Sequence, residues 1–181
     1  MLEYKCLKKQ IFEIDEYKII PIRHEDRYDI MKWRNEQMYH LRQTAILTTE
    51  AQDLYFDKVV SNLFEKEKPD QVLFSFLEND KCIGYGGLVH LDWEKRSGEI
   101  SFLISTELES EFFEKLWISF LKMIEQVAFK FLNLNKIYTF AYDLRPKLYP
   151  CLEKAEFKLE KIIEESNSKI VIHSKYNICA E

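Results

Sequence analysis

Apolar residues recur along the 181-residue chain with two different periods. A period of three to four marks helices. Between residues 50 and 66, Leu54, Phe56, Val59, Val60, Leu63 and Phe64 share one face. Thr49 and Gln52 form a capping box in front of them, and Lys68-Pro69-Asp70 ends the run. The longest such stretch spans residues 108 to 132, where Phe113, Leu116, Trp117, Phe120, Leu121, Ile124, Val127, Ala128 and Phe131 make a continuous stripe. Thr106 and Glu109 supply a capping box at its start, and Asn133 and Asn135 close it. Shorter helices are predicted over 26–36, with Asp26 as cap and Asp29 in the first turn, and over 145–155.

Runs rich in β-branched and aromatic residues mark strands at 10–16, 18–23, 72–77, 82–91, 99–105, 136–142, 157–163 and 170–176. Pro21 places the second of these at a sheet edge. Asn79-Asp80 and residues 92–97 are short connections, so the three middle runs form an antiparallel meander. The long helix then joins two parallel strands by a right-handed crossover. These elements predict an α/β (α+β) fold, a mixed, mainly antiparallel sheet of about seven strands flanked by about four helices. The chain reads as one domain over 1–181, with residues 1–17 as an N-terminal strand extension. Residues 37–47 carry no clear period and read as irregular.

Composition narrows the function classes. Aromatic residues make up 14% of the chain, which excludes intrinsic disorder. No apolar run approaches the roughly 18 residues of a membrane span. Residues 1–10 hold Lys5, Lys8 and Lys9 with no apolar segment behind them, so a signal peptide is not expected. The net charge of −5 argues against nucleic acid as a partner. Cys6, Cys82, Cys151 and Cys179 lack metal or disulfide spacing. Free thiols in a cytoplasmic setting, and no metal, are therefore expected.

Arginine is the informative charge. The chain has six arginines, and Arg23, Arg27, Arg34 and Arg42 fall within 20 residues. Guanidinium forks bind phosphate and carboxylate groups bidentately. Glu25, Asp26, Asp29 and Glu36 share the window, so a salt-bridged surface helix is the competing reading for Arg23 and Arg27.

The element order and several local sequences together resemble the GNAT superfamily of N-acetyltransferases. Ile22-Arg23-His24-Glu25-Asp26 followed by Met31-Lys32-Trp33-Arg34-Asn35 resembles the opening of the branch that holds ribosomal-protein and nucleotide-amino-sugar acetyltransferases. Ile83 to Leu88 is similar to the family's third strand, Glu99 to Ile104 to its fourth, and Leu152 to Phe157 to its closing pattern. The likeness runs from about Lys18 to Tyr176.

The resemblance implies direct acetyl transfer from acetyl-CoA to a primary amine, that of an amino-sugar nucleotide in surface polysaccharide synthesis. A bulge in the fourth strand would let the backbone of Phe102, Leu103 and Ile104 hold the pantetheine arm and acetyl oxygen. Glu99 is the expected base, with an outward-facing strand residue as its alternative; His90 is the second candidate base. Tyr149 is the expected acid for the leaving thiolate, although the family tyrosine falls at Leu152. Trp33, Arg34, Asn35, Arg42 and Tyr85 are expected around the acceptor, with Arg34 and Arg42 on its diphosphate. A second copy of the chain is a candidate partner.

The pyrophosphate loop departs from the family pattern. Residues 105–112 contain no glycine, no arginine and three glutamates, with Glu114 just beyond. Carboxylates repel a pyrophosphate. Asp143 stands where the family usually has asparagine, and Arg145 is the candidate to meet a CoA phosphate instead. The competing readings are a GNAT-fold binding or interaction protein with lost or altered CoA binding, and a peptide or protein N-terminal acetyltransferase.

Overall fold

Tight turns at Asp15-Glu16, Asn79-Asp80 and residues 93–96 fold the chain back on itself. In the computed structural model, which describes residues 2–165 and 168–178, one sheet runs through the described residues. Its order is β1-β2-β3-β4-β5-β6-β8-β7. The strands are β1 (Phe12–Ile14), β2 (Tyr17–Pro21), β3 (Val72–Glu78), β4 (Lys81–Asp92), β5 (Ser97–Ile104), β6 (Lys136–Tyr142), β7 (Lys158–Glu165) and β8 (Ser168–Tyr176). The helices are α1 (Arg27–Glu36), α2 (Thr49–Tyr55), α3 (Ser61–Leu63), α4 (Thr106–Glu109), α5 (Phe113–Glu125) and α6 (Leu148–Lys154).

All neighbouring strands pair antiparallel except β5 and β6, which the α5 crossover makes parallel. Their ladder lasts only from Ser97↔Lys136 to Glu99↔Tyr138. Beyond that point the two strands part, and a cleft opens there. The meander beside it is tightly built. A methyl group added at Gly86 would stand 2.3 Å from the Ser101 carbonyl oxygen, and one at Gly87 would stand 2.0 Å from that of Val72.

Several local expectations are corrected. β2 is an interior strand; Pro21 is tolerated because β1 pairs only as far as Ile19. Asp26 caps nothing with its side chain. It is buried and binds Arg23 through two 2.7 Å contacts, and it accepts a 2.6 Å hydrogen bond from Ser75. Arg27 pairs with Asp53 at 2.6 Å, so both arginines serve as structural partners. The N-cap of α2 is Thr48, whose hydroxyl accepts from the Ala51 amide, while Gln52 donates to the Arg27 carbonyl.

The helical face after α2 also differs. A π-helical turn (Phe56–Val60) inserts between α2 and α3 and shifts the phase. Phe56, Val60, Leu63 and Phe64 are buried, but Leu54 is exposed and Val59 partly so. The 108–132 stripe forms α5 and a second π turn (Gln126–Phe131), but it does not begin at residue 108. α4 stops at Glu109, and Phe112 leaves helical geometry before α5 starts. Glu109 points inward to basic partners, and the expected Thr106–Glu109 box is absent: Thr106 donates to Glu36 and accepts from Gln37.

The N-terminal segment contributes an anchor that periodicity did not reveal. The buried Tyr4 hydroxyl donates to the Leu73 carbonyl at 2.7 Å and accepts from the Leu73 amide, and its ring stacks on Phe64 at 4.4 Å. Cys6, Cys82 and Cys151 are unpaired, and burial pushes the Cys82 thiol up to about 12. Cys179 lies outside the described residues. Among them, no helix is long and apolar enough to cross a membrane.

Candidate active site

Side chains alternate along β5, so Glu99 and Ser101 face α1 while Ile100 and Phe102 face α5. Phe102 stacks on Phe120 with ring centres 3.8 Å apart. Backbone groups alternate too. The Ser105 amide donates to the Ile83 carbonyl at 2.8 Å, so odd-numbered residues of β5 bond to β4. Ile100, Phe102 and Ile104 therefore turn their amides and carbonyls toward the opening.

The expected bulge in this strand is absent: the register runs without a shift from Glu99 to Ile104. Parting from β6, rather than a bulge, exposes the backbone edge. Leu103 is turned to β4, and the Ile104 carbonyl already accepts from Gln37 at 2.8 Å. Of the three residues expected to offer backbone groups, Phe102 does so most directly. The irregularity lies in β4 instead, between Val89 and Asp92, where His90 has φ 49°.

The opening is a cleft of about 200 Å³. Glu99 lies at its apex and is only 4% exposed, so it is not an outward-facing strand residue. Burial raises its carboxyl above the usual range, and the Arg42 guanidinium, bonded to it directly, opposes that rise. His90 approaches from the other side at 3.9 Å but is largely in solvent.

Arg42 belongs to the connection between α1 and α2, which crosses the cleft. Trp33-Arg34-Asn35 builds that connection. Trp33 is buried in the core. Asn35 accepts from the Leu47 amide at 2.8 Å and donates to its carbonyl at 2.9 Å. Arg34 reaches the sheet, donating to the Tyr85 hydroxyl at 2.6 Å and to Gln43 at 3.0 Å. Arg42 then stacks over Phe140 of β6 with its centre 4.9 Å away.

Charge is arranged differently at the α5 end of the cleft. Arg145 donates to Glu109 at 2.8 Å, and both are buried. Lys147 contacts the same carboxylate at 3.1 Å, and both cations lie over the Phe113 ring. Burial and the Arg145 charge push the neighbouring His40 imidazole down to about 4.

Tyr149 does not line this cleft. Its hydroxyl donates to Asp143, its ring stacks 5.3 Å from His173, and burial and Asp143 raise its pKa. Leu152, at the family tyrosine's place, is fully buried. Three cleft-lining side chains carry buried polar atoms with no hydrogen-bond partner: Trp117 Nε1, Thr139 Oγ1 and Arg145 Nε. Trp117 read as core in the helical stripe, and Gln37, Gln43 and Thr139 carried no pattern at all. A second cavity of about 250 Å³ lies between α1, α2 and the sheet, and shares Arg34 and Ser101 with the cleft.

The comparisons match this architecture. Among curated proteins no relative matches. A ribosomal-protein-S5-alanine acetyltransferase from Vibrio fischeri superposes with a TM-score of 0.75 at 17% identity, covering 96% of this chain and 100% of its own. The spermidine N-acetyltransferase from Vibrio cholerae, solved with CoA and spermine, gives 0.74 at 18% identity, covering 89% of this chain and 95% of its own. The acetyltransferase (GNAT) domain profile matches residues 19–146, which hold the parted strands, Glu99 and Arg145. A family profile over most of the sequence shows the identity of the fold: this chain belongs to the GNAT acetyltransferase family.

Proposed function

We propose that the cleft between β5 and β6 takes acetyl-CoA as co-substrate and that the protein moves its acetyl group to a small primary amine. The unpartnered polar atoms of Trp117, Thr139 and Arg145 carry this reading. A buried polar group without a partner costs roughly 1–3 kcal/mol. Three on the walls of one cleft fit a ligand rich in amides and phosphates, as the pantetheine arm and pyrophosphate of CoA are. Arg145 and Lys147, brought in after β6, supply positive charge where glycine amides are missing.

The chemistry follows from the side chains present. Glu99 accepts a proton from the ammonium, directly or through one water, because burial makes its carboxylate more basic. The amine lone pair then forms the N–C bond at the acetyl carbonyl. Amides on the open edge of β5 stabilise the resulting oxyanion. The C–S bond breaks, CoA leaves as thiolate, and the second proton of the attacking nitrogen passes to solvent, leaving a neutral amide. For Tyr149, which stands outside the cleft lining, to protonate the thiolate, its hydroxyl must leave Asp143 and its ring must swing toward the sulfur.

A nucleotide-sugar acceptor would use Arg34 and Arg42, but the first is bonded to Tyr85 and Gln43 and the second to Glu99. One observation favours a binding protein without transfer: Glu109 already neutralises Arg145. Calorimetry separates the two. Acetyl-CoA is expected to bind with a submillimolar dissociation constant, and no heat up to millimolar concentration overturns the transferase.

A further inference from the structure

The second cavity defines the acceptor. It opens beside the cleft, so an amine at the shared wall of Arg34 and Ser101 lies next to the bond to be formed. Ser101 and Glu99 face the same side of β5, two residues apart, so the cavity's shared wall adjoins the base. Ile22, Ile30, Phe56 and Leu73 make much of its wall apolar, while Tyr55 and Gln71, hydrogen-bonded to each other, and Tyr85 add uncharged polar groups. Among the described residues, its lining holds one charged side chain, Arg34, and no carboxylate.

Each feature restricts the ligand. A cavity of about 150 Å³ holds benzene. At 250 Å³ this one holds a body of about ten non-hydrogen atoms on the same scale. A polyamine would bring a second ammonium into an apolar chamber that offers a guanidinium and no counterion. A sugar ring would bury most of its hydroxyls against Ile and Phe side chains, since Tyr55 is already bonded to Gln71 and Tyr85 to Arg34. An aryl or branched-alkyl body loses nothing on entry and gains from desolvation.

We infer that the acceptor is a primary monoamine with an aryl or branched-alkyl body of about ten heavy atoms. This rests on the transferase reading of the neighbouring cleft. It separates the protein from the spermidine acetyltransferases it resembles in fold.

The test combines acetyl-CoA calorimetry with thiol release from acetyl-CoA in the presence of 2-phenylethylamine, spermidine or a nucleotide-linked amino sugar. The expected kcat/KM for 2-phenylethylamine exceeds both others by at least about 10-fold, the scale on which apolar pockets discriminate. Ala51→Phe, on the cavity wall from α2, should raise KM for 2-phenylethylamine by about 10-fold and leave acetyl-CoA affinity unchanged. If acetyl-CoA binds but spermidine or the amino sugar reacts as fast as 2-phenylethylamine, the acceptor class is wrong and the transferase reading stands. Ala51→Phe without effect on KM likewise overturns the cavity's role. If acetyl-CoA does not bind, both readings fall.

Discussion

Two glutamate–arginine pairs stand at opposite ends of one cleft, and they are built differently. At the apex, the Glu99 side chain is 5% exposed while Arg42 is 44% exposed and sits on a loop. At the α5 end, Glu109 and Arg145 are 9% and 8% exposed; Glu109 ends α4, and Arg145 lies in the short connection between β6 and α6. In the first pair, the cation can leave and the carboxylate stays in place to receive a proton. In the second, the carboxylate is the group whose place a phosphate can take, and the cation stays. On the proposed mechanism, one pairing protects the base, and the other holds an anion site closed by an internal anion.

Removing the anion from the closed pair should have the largest effect. Glu109→Gln leaves the Arg145 guanidinium buried without its carboxylate, and breaking a buried pair costs about 3–5 kcal/mol. For a chain of this length, that lowers the melting temperature by roughly 10 °C. Saturating acetyl-CoA should restore more of that loss in the variant than it adds to the parent, because the ligand's phosphates replace the missing charge. Thermal melts with and without acetyl-CoA read this directly. An equal shift in both proteins makes Glu109 a purely structural anchor and ends the contrast between the pairs.

At the apex the effect is on rate. Glu99→Gln keeps the shape of the side chain and removes its basicity. It should reduce kcat/KM by about 100-fold or more, the usual share of a general base, while calorimetry finds acetyl-CoA affinity unchanged. A fall in affinity with kcat intact would move Glu99 from proton transfer to ligand binding.

The two pairs also differ in how legible they were. Glu99 was visible because it opens an otherwise apolar strand, and period-2 alternation left its direction open between core and solvent. Only the sheet order, which puts β6 and the α1–α2 connection against it, makes it buried. The strands and their order were readable because β-branched runs and short turns are local signals. The break at Phe112 was not, because the apolar stripe continues through it and the cause is distant: Arg145 and Lys147 draw Glu109 inward. The π turn after Tyr55 is likewise invisible to a fixed 3.6-residue period. Trp33-Arg34-Asn35 was singled out for an acceptor, and the structure gives its parts three separate jobs: core packing, a bond to Tyr85 and the ordering of the loop. Tyr149 illustrates the opposite case, since its distance from Leu152 in sequence gave no hint that Asp143 and His173 would hold it.

Arg42 sets the smallest and most discriminating effect. Its charge lowers the Glu99 pKa against the rise caused by burial. The ionised carboxylate is the active form, so the rate rises with pH through the Glu99 pKa. Without Arg42 that pKa moves further up, and the acid limb of the kcat/KM profile of Arg42→Ala should shift to higher pH. Its maximum should change by less than about 10-fold, since the base itself remains. Stability follows the same sign. The folded protein disfavours the ionised form of a buried carboxyl, so the variant should lose stability as pH rises through the carboxylate range and match the parent at low pH. Arg42→Lys should return the limb toward its original position by restoring the charge without the guanidinium fork. A limb that stays fixed in Arg42→Ala would show that Arg42 does not govern the ionisation of Glu99, and the apex would then be a closed pair like the other.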